Sequence, residues 1–489
     1  NHNIGAMFVY SEEYWHTRST GASRNDRIHP STSEINAALT NVQSNSGSSA
    51  SEGLRSYIGR MNYSAYDKYL LEFSFRVDGS SKFIKGHQYG FFPTVAAGWR
   101  FTEEEFLKKY FSSWLSSGKL RASWGKLGDN SGVGRFEQLE TLSAMNYMSS
   151  DVVKGFVNKK MVNKDLSWEV STDINVGLDL GFLNNRLRTE IDFYNRLRTG
   201  MNRPSQMSIH LTGAYSAPRA NIGDLLNRGL ELNLTWKDKI GNVDYSVNLN
   251  GAYNRTVLKE WNEFLSRGWV YLDMPYHFLY IYENNGIAQT WQDIYNNTPQ
   301  GLSPGDVIRK DLNGDGIIDG KDKKAYPNIQ RDRPTTTYGI TLQAAWKGFD
   351  ISMLFNGGLG RKDFWLTDFN NTAFADRRYA STWDHWTEPW SLENRGGEWP
   401  RLGTSTDRSD NSYWLYNMNY LRMKNIMLGY NLPKKLLSKI SMTNLRIYAS
   451  AENLFTVTKY PGLDPEKKNS ARDLYPINRS FSIGLNVSF

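Results

Sequence analysis

The feature that most limits this chain is the return of apolar side chains at every second position, segment after segment. A strand sends successive side chains to opposite faces, so such a segment needs one apolar and one polar surrounding. From Tyr69 to Val77 the odd positions are Tyr69, Leu71, Phe73, Phe75 and Val77, against Leu70, Glu72, Ser74 and Arg76. Ile174, Val176, Leu178, Leu180 and Phe182 alternate with Asn175, Gly177, Asp179 and Gly181. Leu230 to Trp236 and Tyr245 to Tyr253 repeat the pattern. The last segment sets Phe481, Ile483, Leu485, Val487 and Phe489 against Ser482, Gly484, Asn486 and Ser488. Several polar faces carry Glu, Arg and Asp. In a sandwich that face meets bulk water, and in a large barrel it lines a wet lumen, so alternation leaves both open.

The connections separate the two. The pattern predicts about fourteen strands, near 4–12, 54–66, 69–79, 90–101, 118–127, 168–182, 187–199, 222–236, 243–255, 334–346, 349–358, 419–431, 443–453 and 479–489. Short links at 66–68, 183–186, 237–242 and 347–348 alternate with long ones at 13–53, 128–167, 200–221, 256–333, 359–418 and 454–478. Two medium links, 102–117 and 432–442, read as brief helical turns on the short side, and the long side has one fairly short link, 80–89. Short periplasmic turns opposite long extracellular loops are the rhythm of an outer-membrane barrel, which a sandwich has no reason to keep. The fold class read here is therefore all-β, a transmembrane antiparallel up-and-down barrel. In 419–431 the apolar parity switches between Met423 and Ile426, which a β-bulge near Lys424 reconciles.

Composition agrees. The chain has 489 residues with no linker dividing it, and 14% are aromatic, including 28 Tyr and 16 Trp. Mean hydropathy is −0.58, and no run of about 18 apolar residues marks a transmembrane helix; barrel strands, half apolar, need none. With no cysteine, disulfides, thiol catalysis and Cys-based metal sites are excluded. The net charge of +8 is spread without a dense basic patch, so no nucleic-acid partner is expected. The opening Asn1-His2-Asn3-Ile4 is not a signal peptide. An envelope protein needs one, so either it has been removed or chain is missing upstream.

Longer stretches resemble one family. Tyr69–Phe83 (YLLEFSFRVDGSSKF) resembles the "RxDGSSKF" segment of SusC/RagA-type TonB-dependent outer-membrane transporters. FFPTVAAGWRFTEEEF (Phe91–Phe106), LRASWGKLGDN (Leu120–Asn130), LSWEVSTDINVGLDLGFLNNRL, NIGDLLNRGLEL and DLNGDGIIDGKD follow in the family's order. YLRMKNIMLGYNLP (Tyr420–Pro433) and NLFTVTKYPGLDPE (Asn453–Glu466) close the match, which covers essentially the whole chain. A last strand ending in Phe489 resembles the signal read by barrel-assembly machinery. The resemblance implies a barrel of about 22 strands, of which residues 1–489 are the C-terminal portion with its extracellular loops. About eight strands, the plug domain and the TonB box are then expected upstream or in another chain. It implies import of an oligosaccharide or peptide across the outer membrane of a Bacteroidota-type bacterium. The expected partners are a SusD-like surface lipoprotein acting as a lid, TonB through the plug, and outer-membrane lipids. A passive porin or structural barrel subunit is the alternative, and a secreted glycan-binding β-protein a more distant one.

One motif points to a metal. Asp311, Asn313, Asp315, Ile317, Asp319 and Asp322 fall at positions 1, 3, 5, 7, 9 and 12 of a calcium loop. Oxygens at alternate positions can converge on a hard cation, with Gly316 permitting the turn and Ile317 lending its carbonyl. Asp at the last position resembles dockerin-type loops more than sensor EF-hands. The expectation is a structural Ca2+, no organic cofactor, and otherwise a metal-free Asp/Asn/Gly turn. Aromatics crowd the long loops, and Trp269, Trp291, Trp365, Trp383, Trp386 and Trp390 are the candidates for contact with ligand or lid, against the alternative that they form the loops' own cores. No enzyme is expected. Gly301-Leu-Ser303-Pro-Gly305 fits G-x-S-x-G in letters only, because it follows no apolar strand and Pro304 spoils the turn. No H-E-x-x-H, P-loop or dinucleotide fingerprint occurs.

Overall fold

The computed structural model describes all residues except 1, 27–28, 30, 39–42, 112–113, 149–151, 159, 209, 211–216, 264–270, 277, 328, 330–332, 365–387, 402–410, 438–441, 467–476 and 489. Fourteen strands form one sheet. In chain order they are β1 (His2–Arg24), β2 (Gln43–Ala65), β3 (Tyr69–Ser80), β4 (Tyr89–Trp99), β5 (Leu115–Asp129), β6 (Glu169–Phe182) and β7 (Leu187–Thr199). They continue as β8 (Asp224–Ile240), β9 (Val243–Glu260), β10 (Thr336–Trp346), β11 (Phe349–Leu359), β12 (Tyr420–Asn431), β13 (Asn444–Thr458) and β14 (Ser480–Ser488). Each pairs antiparallel with its neighbour in sequence, so order in space is order in the chain. The fourteen expected strands are all present.

Register follows from the apolar parity. Leu71 faces Tyr63 on β2 and Ala97 on β4, and Ala97 faces Ala122, which faces Val176, which faces Phe193. Each such row continues the outer, apolar face across the sheet. A slip of one residue would put a whole strand's apolar set on the lumenal face, so the two-sided environment fixes the pairing. The 11 residues of β10 or β11, at about 3.4 Å each and tilted by about 40°, span an apolar band near 25 Å tall. No helix among the described residues is long and apolar enough to cross a membrane; crossing falls to the strands.

Short links are true turns. Lys347 (φ 48°) and Gly348 (φ 92°) are both left-handed, as a two-residue hairpin matching the strand twist requires. The medium links hold the expected helical turns, α1 (Glu105–Phe111) and α2 (Lys434–Leu437). The bulge is where parity placed it. Leu354 pairs with Asn425 and Phe355 with Met423, leaving Lys424 unmatched, while on the other side Met423 pairs with Phe455 and Asn425 with Glu452.

The largest correction concerns the first hairpin. Its strands, expected at 4–12 and 54–66, run on to Arg24 and back to Gln43, so most of the expected 13–53 loop is ladder. The added rungs pair residues such as Ser19 with Ser48 and Thr20 with Gly47. They stand beyond the apolar band with water on both faces, so they carry no hydrophobic alternation for a sequence reading to detect. The loops also hold small two-stranded ladders, including Leu142–Met148 with Val152–Asn158 and Lys362–Phe364 with Leu415–Asn417.

Removing Lys424 leaves Leu421, Met423, Ile426, Leu428 and Tyr430 in strict alternation, and the folded barrel is expected to persist. Removing Met427 instead inverts Leu428 and Tyr430, and the folded form is expected to vanish. Heat-dependent gel mobility of the complete protein from outer-membrane fractions reads both; equal behaviour of the two deletions refutes the parity argument.

Candidate functional site: lumenal wall and extracellular loops

The lumenal face carries charges of both signs, paired across strands. Arg121 on β5 reaches Asp179 on β6 (2.7 Å) and Asp192 on β7 (2.9 Å). The room comes from Gly177, where a Cβ would lie 2.7 Å from the Arg121 guanidinium carbon and 2.5 Å from Asp192 Oδ1. Arg60–Glu72 (2.6 Å), Arg196–Asp173 (2.6 Å) and Arg446–Asp350 (2.5 Å) repeat the arrangement along the wall. These half-wet pairs are worth about 0–1 kcal/mol each. Their consequence is chemical: the wall is hydrophilic and carries both signs of charge, several of them paired, which suits polar solutes better than selection for one sign of charge.

Above the wall the long loops build small cores. Phe83, Phe92, Val133, Leu166 and Trp168 form one over β3 to β6. Leu279, Ile281, Ile329, Phe364 and Trp414 form another, drawing on loops 261–335 and 360–419 together. Those two loops are joined again by buried Asp306, which accepts from Arg401 Nε at 2.8 Å and Nη2 at 3.2 Å. A bridge links Tyr282 to buried Asn411. Burial, and then the nearby Glu398, pushes the Tyr413 hydroxyl up to about 12, so it stays a neutral donor.

A cluster not singled out from sequence lies at the rim. Arg422, on the lumenal parity of β12, is buried and donates to buried Asp464 (2.8 Å) and to Glu466 in the segment after β13. Tyr420 donates to Glu466 at 2.7 Å, as does Asn356 at 3.0 Å. Buried Arg361 donates to the carbonyls of Pro465 and Glu466, each at 3.1 Å. Two arginines thus clamp the LDPE stretch, Leu463–Glu466, onto the barrel rim. The available signal was an arginine at the lumenal parity of a strand otherwise rich in apolar residues, together with two acids close in a later loop. Sequence order cannot show that they meet.

The Asp-rich loop is closed by its own amides. Asp311 Oδ1 accepts from Gly314 N (2.7 Å), and Oδ2 from Gly316 N (2.9 Å) and Thr298 Oγ1 (3.1 Å). Asn313 accepts from Asp315 N, Asp315 from Ile317 N, and Asp319 from Lys321 N. Fully buried Asp322 accepts from Leu312 N (2.9 Å) and Asp319 N (2.8 Å). The Asp319 amide leads in holding the Asp322 carboxyl below the usual carboxylate value, against its burial. Gly314 and Gly316 take positive φ. Among the described residues no group of three or more His, Asp or Glu side chains is arranged to hold a metal. The donors are hard oxygens on alternate residues, as Ca2+ requires, but they face the loop's own N–H groups.

Of the candidate tryptophans, Trp291 is 55% exposed and lies beside Tyr295. Trp390 is buried, and its Nε1 donates to Gln289 Oε1 at 2.9 Å, so here it is a packing residue. Trp269, Trp365, Trp383, Trp386 and Phe489 lie outside the described residues.

A next-neighbour antiparallel sheet, apolar outside and charge-paired inside, with turns at one end and folded loops at the other, is the wall of a large outer-membrane β-barrel. Residues 2–300 match the family model described as TonB dependent receptor-like, beta-barrel, and the chain belongs to that family. It is 30% identical over 476 residues to TonB-dependent receptor P3 of Formosa agariphila, covering 89% of this chain and 45% of that protein. It is 30% identical over 456 residues to TonB-dependent receptor SusC of Bacteroides thetaiotaomicron, covering 89% of this chain and 44% of that one. The chain thus spans about half the length of these relatives. Its fold matches the structure of the RagAB peptide transporter with a TM-score of 0.82 at 23% identity, over 100% of this chain and 53% of the other. The SusC/RagA resemblance read from the motifs is therefore borne out, and the chain is an outer-membrane one.

Replacing Arg422 with Met leaves Asp464 buried without its counter-charge, an expected local cost of about 3–5 kcal/mol. Hydrogen exchange at 459–466 should accelerate while the barrel strands stay protected; unchanged exchange there refutes the clamp. Burial raises the Glu466 carboxyl, but the Tyr420 hydrogen bond and the Arg422 charge outweigh it, leaving it below its ordinary 4.5. A depressed folded value stabilises above the unfolded value and is lost as pH falls through the folded one. Protection at 459–466 is expected to be flat near neutrality and to fall only in acid below about pH 4.5, with Glu466→Gln removing part of that dependence.

Proposed function

We propose that this chain is the wall and outer-loop portion of an active outer-membrane importer for oligosaccharides or peptides. The observation that carries the proposal is the lumenal wall. It carries charges of both signs, several of them paired across strands, giving a polar passage without the single-sign ring of a simple ion-selective pore. In this reading further strands pair with the free edges of β1 and β14, since open edges have no partner in lipid. A plug carried by the remaining length couples to TonB, and a SusD-like lipoprotein closes over the loops. Trp291 and Tyr295, exposed on the extracellular side, are proposed as contacts for ligand or lid.

We also propose that the Asp-rich loop takes a structural Ca2+. Asp311, Asn313, Asp315, Asp319 and Asp322, with the Ile317 carbonyl, would exchange hydrogen bonds within the loop for coordination. The bound ion would supply rigidity to loop 261–335 and no reaction chemistry.

Denaturing mass spectrometry of the complex extracted natively from outer membranes tests the first reading. The expected result is this sequence within a polypeptide about twice its length, as the 44–45% coverage of relatives implies, beside a surface lipoprotein. A 56.1 kDa chain with no plug-bearing partner would favour a passive barrel. For the loop, hydrogen exchange at 311–322 is expected to slow in Ca2+ relative to a chelator, and Asp311→Asn with Asp315→Asn should abolish the difference. Identical exchange in both conditions rules the ion out.

A further inference from the structure

We propose that the link between β4 and β5 is a membrane foot, with α1 and Trp114 seated among the phospholipid headgroups at the short-turn end of the barrel. The inference rests on the outer-membrane barrel reading and adds an attachment that strand pairing does not supply.

The link is fastened to the lipid-facing side. Tyr69 and Trp99 face each other across β3 and β4 on the apolar face. Both turn their polar atoms to buried Glu104: the Tyr69 hydroxyl donates to Oε1 at 2.6 Å and Trp99 Nε1 at 3.2 Å. Lys68, in the neighbouring turn, donates to the same carboxylate at 3.2 Å. The Tyr69 hydrogen bond, and then that of Trp99, holds the Glu104 carboxyl below its ordinary value, so it meets Lys68 as a carboxylate in an ion pair. Phe101 lies over Gly118, where a Cβ would come within 2.3 Å of its ring, and Gly118 shares the outward parity of Leu120 and Leu180. Ring contacts then run from Trp99 to Phe101, Phe111, Trp114 and finally Phe182, at 5.8–6.0 Å between centroids.

This fastening leaves an unused apolar face. Phe106 and Tyr110, four apart and therefore on one side of α1, are 63% and 75% exposed, and Trp114 is 49% exposed. Glu105 and Lys108 pair at 3.8 Å, and helical periodicity turns them away from Phe106 and Tyr110. Phe, Tyr and Trp side chains at the end of an apolar band suit the headgroup layer, where a ring is half buried and its polar atom wet. The link is joined to the lipid-facing strands through Tyr69, Trp99 and Phe182, so the bilayer that covers those strands borders it. Short turns mark the periplasmic end, which places the foot in the inner leaflet.

The test uses the complete receptor in phospholipid bilayers, with any cysteine outside this cysteine-free sequence replaced by serine. Spin labels are placed one at a time through Phe106→Cys and Tyr110→Cys. Phe73→Cys, on the outward face of β3, is the bilayer reference, and exposed Leu392→Cys the water reference. Collisions with oxygen and with a water-soluble nickel complex report depth. The expected result is a depth at both labels between the two references, with oxygen access exceeding nickel access. Nickel access equal to that at Leu392 places α1 in the periplasm and overturns the proposal. Exclusion of both reagents overturns it in favour of a covering protein. Nickel access at Phe73 itself overturns the barrel reading, and the foot with it.

Discussion

A backbone amide in hydrocarbon has no water to bond, so a membrane-crossing strand must give every N–H and C=O to a neighbouring strand. Most of what is regular here descends from that requirement. It demands an unbroken ladder, and β1 to β14 supply thirteen consecutive antiparallel pairings. Lipid on one side and water on the other then add parity. Where parity fails, at Lys424, the ladder absorbs one extra residue and resumes. The lumenal ion pairs depend on the same frame: Arg121 meets Asp179 and Asp192 only because register sets Gly177 between them.

Beyond the bilayer the requirement lapses and a different one takes over. Water can satisfy loop backbone, so the long loops hold their shape through small cores and buried polar clamps. Trp390 and Trp414 are spent on such cores. Asp306 with Arg401, and Arg422 with Asp464 and Glu466, tie loops to each other or to the rim. A buried charge is costly alone, so these clamps fix which loop lies where. Exposed Trp291 marks a place in these loops where an aromatic is left available rather than packed.

Legibility from sequence tracked these two regimes. All fourteen strands could be read, and the bulge near Lys424 with them, because the bilayer writes its two-sidedness into alternate residues. The upper half of the first hairpin could not, since Ser, Thr, Asn and Gly between water and water leave no alternation. The Asp-rich loop was visible as spacing. That its carboxylates point to the loop's own amides was not, because side-chain direction follows from backbone closure at Gly314 and Gly316. Among the tryptophans, composition showed an aromatic-rich loop but could not tell Trp390, buried against Gln289, from Trp291 in solvent.

By itself, then, the sequence determined the strand count, the face of each strand residue, the alternation of turns and loops, and the family. These depend on local periodicity and on motifs contiguous in the chain. The tertiary structure alone decided which distant residues meet. Arg422 and Asp464 are 42 positions apart, Asp306 and Arg401 95, and Glu104 holds Tyr69 and Trp99 across a turn. Such contacts follow from the register of the ladder and from how loops of unlike length pack above it, and no short-range pattern encodes either.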